Sequence, residues 1–151
     1  MQIKTTIDMR GVLSAIKKAQ ATPQDKKRAL SKAALVQVRA IKTRTAEGEG
    51  LRGAFKGYSN SYSKMLVERR FGKKSKPKGS KDPLKVNLFY SGRMMANLNL
   101  VKATPSFALV SFKSFTERKK AKSNQRTRPF MGIKPDEQRD IMRIFKRELF
   151  K

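Results

Sequence analysis

The chain has 151 residues, with 37 Lys and Arg against 11 Asp and Glu, neither His nor Cys, and a formal charge of +26. Without imidazole or thiol, histidine bases, thiolate nucleophiles and the usual zinc sites are excluded. A field of that size draws in polyanions and acidic protein surfaces, which points to a binding or building protein without a cofactor rather than an enzyme.

Residues 2–8 alternate, with Ile3, Thr5 and Ile7 on one side, the pattern of a short strand. Asp8 is placed to cap a short helix carrying Met9, Val12, Leu13 and Ile16, although Gly11 weakens it. Thr22-Pro23-Gln24-Asp25 is a stronger start: a capping hydroxyl, proline at the first helical position and a carboxylate in the first turn. Leu30, Ala34, Val38 and Ile41 then recur every three or four residues, predicting a long helix to about Ala46 that Gly48 and Gly50 end.

Between Glu47 and Pro83 the periodicity fails. Leu51 to Tyr62 reads as a loop pinned by Phe55, Tyr58 and Tyr62, residues 63–71 as a helical turn or two, and 72–83 as a flexible basic loop with almost nothing to bury. Val86, Leu88 and Tyr90 alternate along a strand over 85–90 that closes at Ser91-Gly92, and Arg93 to Ala96 make one helical turn. Leu98 to Ala103 and Phe107 to Lys113 predict an antiparallel hairpin around Thr104-Pro105-Ser106. Apolar residues on both faces of Phe107 to Phe112 predict a central strand covered on each side. Residues 114–127 read as a second flexible basic loop. The last helix runs from Pro135 to about Phe150, with Asp136 and Glu137 in its first turn and Ile141, Ile144, Phe145 and Leu149 along one stripe.

The fold class is therefore α+β in one domain, 1–151. A small, mainly antiparallel sheet packs against a long helix in the N-terminal half and a C-terminal helix, with two long basic loops projecting. No apolar run approaches the ~20 residues of a membrane span, and MQIKTTIDMR lacks the apolar stretch of a secretory signal, so a soluble product made in the cytoplasm, without a membrane partner, is expected.

Enzyme chemistry finds no foothold. The acidic cluster Asp136, Glu137 and Asp140 opens a helix, where the dipole explains it. Gly48, Gly50 and Gly53 do not follow a strand and open a helix as a phosphate-cradling loop does. No catalytic, cofactor-binding or metal-binding residue is assigned. The basic tracts are the candidate contacts: Lys73, Lys74, Lys76, Lys78 and Lys81 in the first; Arg118, Lys119, Lys120, Lys122 and Arg126 in the second. They suit either sequence-independent phosphate contact or docking on an acidic protein. Neither has the aromatic interleaving of a single-strand stacking platform, and there is no base-reading motif.

Three segments, in order, carry a resemblance. A helix ending Ile41-Lys42-Thr43-Arg44-Thr45 leads into a glycine-broken segment with Gly53, Phe55, Tyr58 and Tyr62. Val86-Asn87-Leu88-Phe89-Tyr90-Ser91-Gly92-Arg93-Met94 runs through a Ser-Gly turn. Arg128-Pro129-Phe130-Met131-Gly132-Ile133 precedes the terminal helix. Over about residues 28–150 this is similar to the virion-morphogenesis and tail-completion proteins of tailed bacteriophages, which overlap with head–tail joining (neck) proteins. It departs from their pattern at Phe55, where Trp is frequent, and at Arg126-Thr127, where proline is frequent; nor does that family predict the high charge.

The resemblance implies a structural virion protein that forms a homo-oligomeric ring, with hexamer the family style, at the neck or top of the tail. It would complete the tail or join it to the head, contacting other neck and tail proteins, with basic loops on acidic neighbours, on DNA in the channel, or both. The residues shared with that pattern (Gly53, Tyr58, Ser91, Gly92, Arg128, Pro129, Phe130, Met131, Gly132) are expected to be structural: glycines for tight turns, Pro129 to fix one backbone angle, Phe130 and Met131 buried against the sheet. The competing class is a sequence-independent nucleic-acid-binding basic protein, ribosome-associated or of packaging type.

Overall fold

The computed structural model describes residues 21–71, 86, 88 and 92–150. The strand expected over 2–8, the helix after Asp8, the loop over 72–83 with its lysines, and Ser91 lie outside the described residues.

Helix α1, Pro23–Ala46, is the spine, about 36 Å long for its 24 residues. Its start is fixed as the sequence predicts: Thr22 Oγ1 accepts from the Asp25 amide at 3.1 Å, and the Asp25 carboxylate accepts from the Thr22 amide at 3.2 Å. At the other end the chain turns through Gly48, whose φ of 84° is a conformation that a side chain disfavours. Two short strands follow, β1 (Glu49–Gly50) and β2 (Gly53–Ala54), paired antiparallel. Helix α2, Asn60–Phe71, is longer than the turn or two expected.

Gly92, in the left-handed conformation at φ 68°, starts the short helix α3, Arg93–Asn97. The predicted hairpin then appears as β3 (Leu98–Ala103) and β4 (Ala108–Phe112), antiparallel with an irregularity between Leu100 and Lys102. Its turn is held by Thr104, whose amide donates to Phe107 O at 2.8 Å and whose hydroxyl accepts from the Phe107 amide at 3.1 Å.

The strand expected over 85–90 falls mostly outside the described residues, and with it the expectation of a central β4. Among the described residues the sheets are two separate pairs, so β4 has a single strand neighbour. Val110 and Phe112 are buried, while Leu109 and Ser111 are only half-buried, because α1 covers one face. Of the strand expected over 85–90, Val86 and Leu88 are described, and neither is in a strand. Leu88 still packs against the core.

A correction concerns 114–127, which is not a loop. Phe115–Thr127 form helix α4 after an extended Ser114. Basic composition was read as disorder, but Lys, Arg, Glu, Gln and Ala are all strong helix formers. A narrow inner face, with Glu117 and Ala121 buried, is enough to anchor them. The chain ends in α5, Pro135–Leu149.

The core has two parts, joined by α1. On one side Ala29, Leu30 and Ala33 meet Ile141, Phe145 and Leu149 of α5, the two alanines giving room for the large side chains of the other helix. On the other side Ala34, Val38 and Ile41 pack with Met94, Met95, Leu98, Val110, Phe112, Ala121, Phe130 and Met131. Phe112 and Phe130 meet edge-to-face with centroids 6.2 Å apart. The arrangement is α+β, with the long helix packed on both the terminal helix and the strands.

Candidate interaction surface

The segment from Arg128 to Lys134 carries no regular structure, yet its backbone is held almost continuously. Gln125, on the inner side of α4, accepts from the amides of Phe130 (3.0 Å) and Met131 (2.9 Å) and donates to Met131 O at 3.1 Å. From α1, Gln37 donates to Gly132 O at 2.7 Å. Arg44 donates to Gly132 O at 2.9 Å, to Phe130 O and to the Glu137 carboxylate. Glu137 in turn accepts from the Lys134 amide at 2.9 Å, capping α5 with its other oxygen. Leu51 N donates to Pro129 O at 2.8 Å.

The side chain of Arg128 reaches back across the surface. It donates to Lys56 O at 3.2 Å and Gly57 O at 3.3 Å, and lies 4.8 Å from the centre of the Tyr58 ring, which stacks edge-on with Tyr62. Burial pushes the Tyr58 phenol above its ordinary pKa, and the charge of Arg128 works against that rise. Close approach fixes two glycines. A Cβ on Gly50 would lie 2.4 Å from Pro129 O, and one on Gly132 would lie 2.5 Å from Leu51 Cδ1.

Of the motif residues named from the sequence, Arg128, Pro129, Phe130, Met131 and Gly132 form this strap, and others lie beside it or in the cluster beneath. Gly53 pairs with Gly50 beside it, Tyr58 supports Arg128, Phe130 and Met131 are buried, and Gly92 starts the helix that sends Met94 and Met95 into the same cluster. Of the residues that hold the strap, Gln37 and Gln125 are not singled out by the sequence reading, and Arg44 enters it only as part of the segment Ile41 to Thr45, with no role. A signal existed: Gln37 and Arg44 fall in phase with Val38 and Ile41 on the apolar stripe of α1. A polar residue in a buried phase requires a partner.

The acidic trio at the start of α5 does three separate things. Glu137 pairs with Arg44, Asp140 pairs with Arg143 at 3.1 Å, and Asp136 is exposed. Among the described residues no group of three or more acids is arranged to hold a metal ion, and no helix is long and apolar enough to cross a membrane.

The second basic tract acquires a geometry that the sequence did not give it. With Glu117 and Ala121 inward, Phe115, Lys119, Lys122 and Arg126 fall on one outer stripe of α4, Arg118 lies beside it, and all are exposed. Lys119 Nζ sits 4.7 Å over the Phe115 ring. Lys120 is set apart, its ammonium bound to Glu117 at 2.8 Å. The first tract's Lys73, Lys74, Lys76, Lys78 and Lys81 lie outside the described residues, so nothing relates the two tracts in space.

No family model, curated protein or solved structure matches this chain.

Proposed function

We propose that the protein is a structural component of a tailed-bacteriophage particle, one that assembles into a homo-oligomeric ring at the neck or top of the tail and completes the tail or joins it to the head. The observation that carries this reading is the convergence of the three segments on which the resemblance rests. Though far apart in sequence, the first and third meet around Arg128 to Gly132, and Ile41 and Phe55, Leu88 and Met94, and Phe130 and Met131 put described residues of all three in one core cluster. The motif residues serve as scaffold, which leaves function to the surfaces around them.

Two surfaces suit a repeated head-to-tail contact, the kind that closes into a ring. Among the described residues β3 and β4 each have one strand neighbour, so each has a side on which no described strand pairs, the kind of edge that strand addition uses. Leu35, Val101 and Phe107 are large apolar side chains left about half exposed.

Size-exclusion chromatography with light scattering, and negative-stain images in nucleic-acid-free buffer, test the proposal. Rings, or a monomer that joins them when other neck or tail proteins are added, are expected. A protein that stays monomeric, ignores those components and only binds nucleic acid belongs to the competing class and ends the ring reading.

A further inference from the structure

We propose that the outer face of α4 is a docking site for the phosphate backbone of duplex DNA, formed by Arg118, Lys119, Lys122 and Arg126 and blind to sequence. The inference does not depend on ring assembly.

Three observations carry it. First, the face holds cations without anions. Its one acid, Glu117, is turned inward and buried, with Lys120 on it, and Arg118, Lys122 and Arg126 make no ion pair with any described residue. Elsewhere several of the scarce acids are matched to cations: Asp25 to Arg28, Glu49 to Lys134, Asp140 to Arg143 and Glu148 to Lys32.

Second, the arrangement opposes the helix that bears it. Arg118 and Lys122, and Lys122 and Arg126, are like charges four residues apart, a spacing that weakens a helix. A bound polyanion turns that cost into attraction.

Third, the side-chain chemistry favours phosphate over an acidic protein. Protein interfaces are depleted in Lys and centre on buried aromatic or Arg anchors. Here Lys supplies two of the four cations, and the face's one aromatic residue, Phe115, is 66% exposed with Lys119 Nζ over its ring rather than set in a buried anchor site. Thr116 and Ser123, exposed beside the stripe, add hydroxyls of the kind that bond phosphate oxygens. Lys119 to Arg126 spans about 10 Å of helix. Duplex DNA presents roughly six backbone charges over that length.

The test is fluorescence anisotropy with a random-sequence duplex between 50 and 200 mM salt. The variant Lys119→Gln, Lys122→Gln, Arg126→Gln is set against a control that removes the same charge from α5, Arg139→Gln, Arg143→Gln, Lys146→Gln. Gln keeps helix propensity, and circular dichroism checks that both variants fold. Each phosphate contact adds ~0.9 to the salt slope, so losing three lowers it by about 2.7. The affinity loss across that salt range then becomes about 40-fold smaller than for the unaltered protein. The α5 control should move the slope by less than about 1.

Equal effects of the two variants would mean a diffuse field with no site, and would overturn the proposal. So would an unchanged duplex slope in the α4 variant together with lost binding to poly-glutamate, which would assign the face to an acidic protein. Ring formation, measured separately without nucleic acid, decides the other reading on its own.

Discussion

Replacing Arg44 by Met tests whether the Arg128–Lys134 strap is held by one buried charge. Met is a good helix former of similar length, so α1 itself should survive. Arg44 is 5% exposed and Glu137 10%, and both are tied to the strap. Without the guanidinium, Glu137 keeps only the Lys134 amide, and Phe130 O loses its side-chain donor, whereas Gly132 O retains Gln37. Removing one partner of a buried pair costs about 3–5 kcal/mol, chiefly through the charge left behind. The lower end applies, because Arg44 Nε is buried without a hydrogen-bond partner and its loss recovers part of that cost.

A loss of about 3 kcal/mol would be a large part of the ~5–15 kcal/mol typical of a domain. It should lower the melting temperature of a chain this size by roughly 6–12 °C. Urea denaturation followed by circular dichroism gives the free energies for Arg44→Met, Glu137→Gln and the double variant. The double variant should be less damaged than the two singles added together, with a coupling of about 2 kcal/mol. An Arg44→Met protein within about 1 kcal/mol of the original, or single effects that add within about 0.5 kcal/mol, would refute the reasoning.

Gln125→Ala should cost about 2 kcal/mol in the same assay, since the Phe130 and Met131 amides lose their shared acceptor while remaining shielded; a change below about 0.5 kcal/mol would show that water replaces it. Tyr58 should titrate later than an ordinary tyrosine when phenolate absorbance is followed into alkali. Because its folded pKa is raised, the linked stability is complete below the ordinary value near 10 and is lost as pH rises through the folded value. Phenylalanine at that position should remove the late-titrating component, and its persistence would assign the shift to another tyrosine.

Local chemistry made α1, the hairpin and α5 readable in the chain itself. Thr22, Pro23 and Asp25 satisfy the amides at the start of α1, and the same turn residues and apolar periods mark Thr104 and α5. Each of these signals acts within a few residues, so it can be seen without knowing what lies opposite. Polarity was a poorer guide in 114–127, where a helix needs only Glu117 and Ala121 inward and can leave the rest to water. Apolar residues on two faces of β4 say that the strand is covered and not what covers it; α1 lies over one face.

Charge, the absence of imidazole and thiol, and the main helices can be read from the chain alone. Tertiary structure decided what individual residues do. It brought Gln37, Arg44 and Gln125 from two helices onto one strap, divided the acids at the start of α5 between separate tasks, and gathered the cations of α4 on a face where Glu117 is turned away. Periodicity can place Gln37, Arg44 or Lys122 on a face of its helix, but which group stands opposite, as Gly132 and Glu137 do some ninety residues from α1, is set only when the elements pack.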